Sequence, residues 1–347
     1  MKITSVSAIK ILLLLFLVFS GLYFARNFLI PFTLGALLAT LFLPMCRWLE
    51  RATPKWLAPI LCVLTLLLIF TGIGGILSWQ VSELANEAAF IEQRAYELFA
   101  RAQEYIYTNL GITQTEQNQL LKDQQSAFAG IITSIAGSFT YIFTAVGLML
   151  IYIIMLLYYR VHIYRFILQL SPADKTVEMK RVISNVVSVS QQYLLGLAKM
   201  IVCLWIMYSI GFSIAGVKNP LFFAIICGLL EIVPYIGNFT GTTLTLLVAV
   251  GQGGGLSLVL GIIITYGIIQ FIQGWVLEPL IVGVQVRINS LFTILALIVG
   301  ELVWGISGMI LAIPLIAMFK IVCDHVESLK PYGFLIGEIS RRKPLLK

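Results

Sequence analysis

The chain has 347 residues, of which 59% are hydrophobic and only 11% are charged, and its formal net charge is +7. An ordinary soluble domain carries about 25% charged residues, so this composition excludes a fold built around one core in water. The mean hydropathy of +0.97 instead indicates a protein embedded in a lipid bilayer.

Apolar runs long enough to cross a bilayer recur along the whole chain. A transmembrane helix needs about 20 predominantly apolar residues. Eight runs approach or exceed this length, and the sixth and eighth are interrupted: Ile9–Ala25, Phe28–Cys46, Ala58–Ser78, Tyr141–Tyr159, Tyr193–Val217, Leu221–Val250, Leu256–Leu277 and Leu291–Phe319. The first run lacks a small-residue cleavage site and a second run follows at once, so we interpret it as a retained helix and not as a secretory signal.

These runs predict an all-α, polytopic integral membrane protein with about eight transmembrane segments, of which the sixth and eighth are broken or re-entrant. The basic residues predict its orientation. With the N-terminus inside, 17 of the 23 Lys and Arg residues fall in the predicted cytoplasmic segments. This positive-inside bias predicts that both termini are cytoplasmic. The same bias explains the positive net charge of the chain by its orientation in the membrane, so no nucleic-acid partner is predicted.

One long polar region, roughly residues 79–140, separates the third and fourth runs. Its seven acidic and three basic residues give a local charge of −4. Apolar residues recur there at alternating spacings of three and four, from Val81 to Tyr105. This heptad pattern predicts an extracytoplasmic helical arm, which packs either on its own neighbouring helix or on another subunit.

Residues that would indicate a metal site, a cofactor or an enzyme are missing from the sequence. The five cysteines form no CxxC pair, and His162 and His325 lie far apart. Neither residue type predicts a metal site, and we predict no cofactor. The sequence also lacks a Walker loop, a GxSxG elbow and an HExxH motif, so we predict that the protein is not an enzyme.

Three carboxylates fall within or beside the late apolar runs, namely Glu231, Glu278 and Glu301. A charge at the centre of a membrane helix costs about 2.5–3.5 kcal/mol on insertion scales, so such residues face a cavity, a partner or a proton. They are therefore candidate sites for a proton or a monovalent cation. Glu278 could also lie at a membrane end, where its charge would be uninformative.

The stretch EIVPYIGN, residues 231–238, interrupts the sixth run. Pro234 removes a backbone donor there, and Gly237 can adopt dihedrals closed to other residues. Irregular backbone at membrane depth is tolerated only inside protein or beside water. The octet therefore either kinks one helix or turns a re-entrant hairpin. The predicted helix breaks and solute path comprise Pro234, Tyr235, Gly237, Asn238, Gln270, Gln273, Pro279 and Pro314.

The eighth run contains a second interruption of similar appearance. GLLEIVP (residues 228–234) and GMILAIP (residues 308–314) both place a glycine six residues before a proline. Paired broken segments indicate the midplane site of a transporter. Each break alone is also consistent with ordinary helix packing, because Gly and Pro are frequent in transmembrane helices.

Three C-terminal motifs resemble the autoinducer-2 exporter family of bacterial permeases. They are NPLFFAIICGLLEIVPYIG, YGIIQFIQGWVLEPLIVG and GISGMILAIPLIAMFKIV, which begin at Asn219, Tyr266 and Gly305. The resemblance extends to the helix order and the long outer insert. It implies an eight-helix permease of the bacterial inner membrane that exports small polar solutes. It also implies a homo-oligomer, a pentamer in particular, and some relatives are assigned sodium or lithium/proton antiport.

The sequence departs from the family pattern at a few positions. Asn238 stands where the family usually has proline, Asn289 and Ser290 stand where a His-Pro pair is common, and Glu301 replaces a small residue. Together, these features predict transmembrane helices in residues 1–78 and the outer arm in 79–140. They predict two further helices with a cytoplasmic loop in 141–217, a transport core in 218–322 and a cytoplasmic basic tail in 323–347.

We therefore expect a secondary transporter that exports a small polar solute, such as an autoinducer-2-like signal or a metabolite, in exchange with protons. A Na⁺(Li⁺)/H⁺ antiporter is the alternative within transport. A membrane scaffold that presents the outer arm to a partner is the alternative from a different class. The expected partners are the solute or a monovalent cation, protons, the lipid bilayer and further copies of the chain.

Overall fold

The computed structural model describes residues 5–86, 143–233, 236–282 and 288–338 of this chain, and these are almost entirely helical. The longer helices are α1 (Ser5–Phe24), α2 (Arg26–Leu49), α3 (Leu57–Asn86), α4 (Phe143–Gln169), α5 (Thr176–Ala215), α6 (Pro220–Leu230), α7 (Ile236–Gly251), α8 (Leu256–Ile272) and α9 (Ser290–His325). A π-helix, Gln273–Val282, continues α8, and the short α10 is Lys330–Ile336. Within the described residues, six helices are long and apolar enough to cross a membrane, and they include α9, although its chain reverses at Gly305.

The prediction of an all-α, multi-pass membrane protein is thus confirmed. Most of the predicted outer arm, residues 87–140, lies outside the described residues. The apolar surface of the described helices is largely exposed, as expected when lipid is the solvent: Leu12, Phe16, Leu68 and Phe70 are each more than half exposed.

Helices α2, α3 and α4 form one bundle. Its core is built from apolar residues of all three helices, including Phe42, Cys62 and Ile153. At the end of α2, the Glu50 carboxylate accepts hydrogen bonds from both terminal nitrogens of Arg160, one of them at 2.7 Å. This pair places the C-terminal end of α2 beside the corresponding part of α4, so the two helices run in parallel.

The 40-residue helix α5 connects this bundle to the rest of the protein. Its Gln191 side chain donates a 2.7 Å hydrogen bond to the Thr40 carbonyl of α2. Further along, the Trp205 indole N–H donates to the Ile225 carbonyl of α6 at 3.1 Å, and the Thr265 hydroxyl of α8 donates to the Gly211 carbonyl at 3.3 Å. Helices α6 and α8 therefore both run antiparallel to α5.

The sixth apolar run folds into a helical hairpin, which we call hairpin 1 (α6 and α7). A Cβ added to Gly241 would lie 2.9 Å from Cys227 Sγ, and one added to Gly237 would overlap the Leu230 carbonyl oxygen. These contacts show that α7 returns along α6. With 11 and 16 residues, each arm is shorter than the ~20 residues needed to span a bilayer. Of the two predicted alternatives, the structure thus has the re-entrant hairpin.

The eighth run contains a second hairpin, which we call hairpin 2 (residues 290–325). Gly305 has φ 60° and ψ −142°, a backbone conformation that reverses the chain within α9. A Cβ added to Gly308 would overlap the Gly300 carbonyl oxygen, so the two arms touch. At the open end, the Asn289 N–H donates to the Ile336 carbonyl at 3.0 Å, which holds the start of α9 next to the chain that follows its end.

The two hairpins open towards opposite ends of α8 and meet in the middle. Hairpin 1 begins just after the C-terminal end of α5, where Ala215 contacts Gly261 near the start of α8. Hairpin 2 begins beyond the far end of the π-helix that continues α8. Val233, in the turn of hairpin 1, packs against Leu297 and Met309 in the two arms of hairpin 2.

The stretches GLLEIVP and GMILAIP do not occupy equivalent positions in these hairpins. The first precedes and enters the turn of hairpin 1, whereas the second begins after the Gly305 reversal, and Pro314 lies buried in the second arm. The similarity of the two stretches therefore does not mark a repeated turn, because the reversal of hairpin 2 depends on Gly305 and not on Pro314.

Candidate functional site

Glu231 lies at the C-terminal end of α6, where hairpin 1 turns, and its residue is only 7% exposed. The Gln273 side-chain amide donates a 2.5 Å hydrogen bond to Glu231 Oε1. Gln273 stands where α8 changes into the π-helix and is itself 2% exposed. Such π-helical segments occur frequently at functional sites. The carboxylate of hairpin 1 is thus joined to the helix that runs between the two hairpins.

The remaining polar atoms around this pair are buried without a hydrogen-bond partner in the described part of the chain. They include Glu231 Oε2, Gln273 Oε1, Gln270 Nε2 and Asn238 Oδ1, together with the hydroxyls of Tyr208 and Thr242. The contacts of Gly237 with Leu230 and of Gly241 with Cys227 fix the register of hairpin 1, and this register places Asn238 beside the end of α6. Unpaired polar groups are costly at such burial, so this concentration indicates a binding site.

The cluster contains both acceptors and donors. Glu231, Gln273 and Asn238 each contribute an oxygen without a partner among the described residues, and Gln270 contributes an amide nitrogen. The hydroxyls of Tyr208 and Thr242 can both donate and accept. Such a mixed set of buried groups is chemically suited to a proton or to a small polar ligand.

Small residues let α7 approach this cluster closely. Gly237, Asn238, Gly241, Thr242 and Thr245 recur on the buried face of the helix. Thr245 donates its hydroxyl to the Gly241 carbonyl at 2.9 Å and contacts Cys227 Sγ at 3.8 Å. Because this face has no large apolar side chain, hairpin 1 keeps polar groups near its turn.

The structure brings together only some of the predicted site residues. Glu231 and Gln273 are in contact, Gln270 lies one helical turn from Gln273, and Gly237 and Asn238 follow the turn. The side chains of Glu278 and Glu301 are exposed, on the π-helix and in the first arm of hairpin 2. Pro234 and Tyr235 lie outside the described residues, as does the side chain of Pro279.

Sequence reasoning did not select Tyr208 of α5, which is fully buried with an unpaired hydroxyl. Its position within an apolar run suggested only a core aromatic residue. The available signal was the neighbouring Trp205, since the two residues share one face of α5 and Trp205 donates to hairpin 1. Among the described residues, no group of three or more His, Cys, Asp or Glu could hold a metal ion.

A second, partly buried carboxylate, Glu50, differs from Glu231 because both of its oxygens have a hydrogen-bond donor. Its hydrogen bond with Arg160 holds the pKa of the Glu50 carboxyl below its usual range. The Glu50 side chain is 14% exposed and the Arg160 side chain is 22% exposed, at the end of the α2–α4 bundle. This ion pair joins two helices.

These features define a class of protein: a multi-pass membrane protein in which two helical hairpins meet and one of them carries a buried carboxylate at its turn. Residues 11–328 match the sequence model of the AI-2E family transporter, and the chain belongs to this family. It is therefore a membrane transporter.

Relatives from several bacteria agree with this assignment. The chain is 26% identical to YueF of Bacillus subtilis over 318 residues, which cover 86% of this chain and 84% of YueF. It is 20% identical to YhhT of Escherichia coli over 93% of this chain and 92% of YhhT. A shorter match, 36% identical over 129 residues, covers 37% of this chain and 36% of YrrI of Bacillus subtilis. Their names assign these relatives provisionally to transport and give no substrate.

Proposed function

We propose that this protein is a secondary transporter that exports a small polar solute across the bacterial inner membrane, driven by the proton gradient. The observation that carries the proposal is the Glu231 carboxylate at the turn of hairpin 1. One of its oxygens accepts a hydrogen bond from Gln273, and the other has no partner among the residues that the structure describes. A carboxylate that is buried at membrane depth and incompletely paired is a natural proton carrier.

Protonation would change the hydrogen bonds at this turn. Ionised Glu231 accepts a hydrogen bond from the Gln273 amide. Neutral Glu231 instead has an O–H to donate, and Gln273 Oε1 is a buried acceptor without a partner among the described residues. The Glu231–Gln273 pair therefore has two bonding arrangements, one for each protonation state, and loading a proton alters the contact between hairpin 1 and α8.

The contact between the hairpins offers a barrier that this change could control. Val233 is two residues from Glu231 and packs against Leu297 and Met309 of hairpin 2. The two hairpins open towards opposite ends of α8, and their arms meet at this contact. If the hairpins moved apart there, the space in front of the turn of hairpin 1 would become continuous with the space in front of the turn of hairpin 2. In this mechanism, protonation of Glu231 shifts the balance between states in which the site faces one side or the other.

Charge supports a direction for the chain across the membrane. The Glu50–Arg160 pair joins the end of α2 to α4, and Arg47, Arg51 and Lys55 lie close by in the sequence. By the positive-inside rule, this concentration of positive charge supports a cytoplasmic position for that end and, with it, our proposal that both termini are cytoplasmic.

Replacing Glu231 with glutamine tests the proposal. Purified protein in liposomes is supplied with a panel of radiolabelled polar solutes, with and without an imposed pH gradient. Glu231→Gln is expected to reduce gradient-driven flux to the level of protein-free liposomes while the variant still elutes as a single species. Glu178→Gln, the same substitution at an exposed position of α5, serves as the control and should retain full flux. Unchanged proton-driven flux in Glu231→Gln would exclude Glu231 as the coupling site.

A Na⁺(Li⁺)/H⁺ antiporter is the second candidate, and the buried oxygen atoms near Glu231 support it. Small hard cations prefer oxygen ligands. In the same liposomes, a pH gradient would then drive Na⁺ or Li⁺ uptake without any organic solute, and Glu231→Gln would abolish that uptake. If the liposomes move neither solutes nor cations, both transport proposals fail and the scaffold alternative remains.

A further inference from the structure

The side chains of Tyr208 of α5 and Gln270 of α8 lie close together beside hairpin 1. The Thr265 hydroxyl of α8 donates to the Gly211 carbonyl of α5, and continuing this antiparallel register by one turn brings Tyr208 level with residues 266–270. The Tyr208 hydroxyl and Gln270 Nε2 are buried, and neither makes a hydrogen bond of normal geometry in the described part of the chain. A hydroxyl and an amide nitrogen are therefore available at the same place.

Thr242 of α7 lies at the same height as this pair. Tyr208 belongs to the same packed core as Cys227 of α6. Gly241, the neighbour of Thr242, also packs on Cys227, because an added Cβ there would lie 2.9 Å from Cys227 Sγ. The Thr242 hydroxyl is buried without a partner among the described residues. We call Tyr208, Gln270 and Thr242 the Tyr208 level.

The Tyr208 level lies about one helical turn from the carboxylate of hairpin 1. Cys227 precedes Glu231 by four residues on α6, and Gln270 precedes Gln273 by three residues on α8. At 1.5 Å per residue, these separations are about 6 Å and about 4.5 Å along the two helices. We call Glu231, Gln273 and Asn238 the Glu231 level. The two levels are thus about 5 Å apart, a distance that a small organic molecule can bridge.

The two levels differ in chemistry. In the Glu231 level the unpaired atoms are all oxygens, and one of them belongs to a carboxylate. In the Tyr208 level they are two hydroxyls and one amide nitrogen, all of which can donate to an acceptor oxygen. Buried donors without a partner are costly, so the Tyr208 level is suited to a ligand that supplies such an oxygen.

We propose that the Tyr208 level binds an acceptor oxygen of the transported solute, while a hydrogen-bond donor of the same solute faces the Glu231 level. The solute is accordingly a small molecule that carries a donor group and an acceptor oxygen about 5 Å apart. This assignment rests on the proposed function, since it takes the buried cluster as the transport site. It gives solute recognition to Tyr208 and proton binding to Glu231.

Transport by Tyr208→Phe tests this assignment, because the substitution removes the hydroxyl and keeps the ring. Liposomes that contain the protein are supplied with radiolabelled serine, lactate or ribose, which have both kinds of group, or with methylammonium, which only donates. For the probe that the wild type moves, Tyr208→Phe should raise the KM about five- to tenfold, as expected for one lost hydrogen bond. The maximal rate and its dependence on the pH gradient should not change.

Tyr193→Phe is the matched control, because Tyr193 is another buried tyrosine of α5 and lies 15 residues from Tyr208. It should keep the KM of the wild type. Gln270→Met, which removes the amide and keeps the length of the side chain, should also raise the KM. The increase in Tyr208→Phe/Gln270→Met should be smaller than the product of the two single effects, since both groups bind one oxygen.

Thermal unfolding without solute separates binding from a structural role of the hydroxyl. Because the Tyr208 hydroxyl is buried without a partner in the described part of the chain, its removal should leave the unfolding midpoint unchanged or raise it. A hydroxyl that the fold requires would instead give a lower midpoint. A lower midpoint together with an unchanged KM in Tyr208→Phe would overturn the assignment, as would methylammonium transport that is equal in Tyr208→Phe and the wild type.

The proposed function fails on a different result, namely unchanged proton-driven flux in Glu231→Gln. Flux that depends on Glu231 but has the same KM in the wild type and Tyr208→Phe would therefore remove the Tyr208 level as the solute site and leave the proposed function in place.

Discussion

Hairpin 1 and hairpin 2 solve the same structural problem with different residues. Both reverse the chain inside the membrane region, and both bring their arms into backbone contact through glycine, at Gly237 in the first and at Gly308 in the second. Hairpin 1 places a buried carboxylate at its turn, whereas hairpin 2 turns on Gly305, and its two carboxylates, Glu301 and Asp324, are both exposed.

This difference separates two tasks. The glycine contacts close a hairpin mechanically, and hairpin 2 shows that no buried charge is needed for closure. The burial of Glu231 in hairpin 1 is therefore not explained by the requirements of folding. Glu231 is costly to bury and is not required for folding. This is the strongest structural reason to assign the proposed proton binding to hairpin 1 and a structural role to hairpin 2.

The largest expected effect is on the glycine contacts. An alanine methyl at Gly308 or Gly237 would overlap a carbonyl oxygen of the opposite arm, Gly300 or Leu230 respectively. Backbone must then move, so Gly308→Ala and Gly237→Ala should each destabilise the protein by about 3 kcal/mol or more, the upper range of overpacking effects. Thermal unfolding in detergent, followed by intrinsic fluorescence, measures the loss.

Gly147→Ala and Gly267→Ala are the matched controls for this experiment. Both glycines are helical and have no atoms within 4 Å of an added Cβ. Their replacement should be neutral or stabilising by up to about 1 kcal/mol, because alanine has the higher helix propensity. Equal stability of Gly308→Ala and Gly147→Ala would contradict the close contact of the arms in hairpin 2.

Gly305→Ala isolates the turn of hairpin 2 from its packing. An added Cβ at Gly305 has nothing within 4 Å, yet its φ of 60° and ψ of −142° lie in a region that is nearly restricted to glycine. The expected cost is about 1–3 kcal/mol, and it arises from backbone strain alone. Unfolding midpoints measured beside those of Gly267→Ala provide the comparison. A neutral effect would mean that the chain reverses elsewhere in α9.

Lowering the pH distinguishes the effect of Glu50, at the end of the α2–α4 bundle, from that of Glu231 in hairpin 1. The pKa of Glu50 is lowered by Arg160, so this pair stabilises the fold at every pH above the unfolded value of about 4.3. The contribution is lost as the pH falls through the lower, folded pKa. We therefore expect the stability of the wild type to decline below about pH 4.3, and Glu50→Gln to remove this part of the decline.

The lowered pKa of Glu50 also excludes this residue as the cause of any change in transport at higher pH. Glu50 stays ionised between pH 5 and 8, about where physiological gradients act, so flux changes in that window cannot originate from it. At neutral pH, Glu50→Gln should cost about 1.5 kcal/mol through the weakened hydrogen bonds to Arg160. An acid transition that is identical in wild type and Glu50→Gln would show that the pair contributes nothing to it.

The sequence predicted the composition of the fold better than its connections. Apolar runs identified the helices, and Pro234 with Gly237 identified the turn of hairpin 1. In the eighth run, however, the proline and the three glycines at 300, 305 and 308 were all plausible positions for the helix break. Only a positive φ distinguishes Gly305, and no local pattern reveals it. Helix α5 also begins at Thr176, well before its apolar run, because its first turns are polar.

The candidate site was only half predictable for a related reason. Glu231 was apparent because a carboxylate inside an apolar run is rare and costly. Its hydrogen bond with Gln273 joins residues that are 42 positions apart on different helices. That contact depends on how α8 packs beside hairpin 1, which local sequence does not encode. The register of hairpin 1, which brings Asn238 back towards Glu231, depends on the same tertiary packing.

The smallest expected effects concern two tryptophans that attach the hairpins to their surroundings. Trp205 of α5 donates to the Ile225 carbonyl in hairpin 1, and Trp304 of hairpin 2 donates to the Leu22 carbonyl of α1 at 3.0 Å. Leu22 lies just before the break between α1 and α2 at Ala25, so Trp304 bonds a carbonyl at a helix end. Each hydrogen bond is expected to contribute about 1 kcal/mol.

Trp205→Phe and Trp304→Phe keep an aromatic ring and remove the N–H donor, so each should lower stability by about 1 kcal/mol. Their local effects should differ. Hydrogen exchange is expected to increase in residues 220–230 for Trp205→Phe, and in α1 and the first arm of hairpin 2 for Trp304→Phe. Trp275→Phe is the control, because its ring is 75% exposed on the π-helix. Increased exchange in both hairpins from either single variant would show that they open as one unit, and the division of tasks between them would then have to be abandoned.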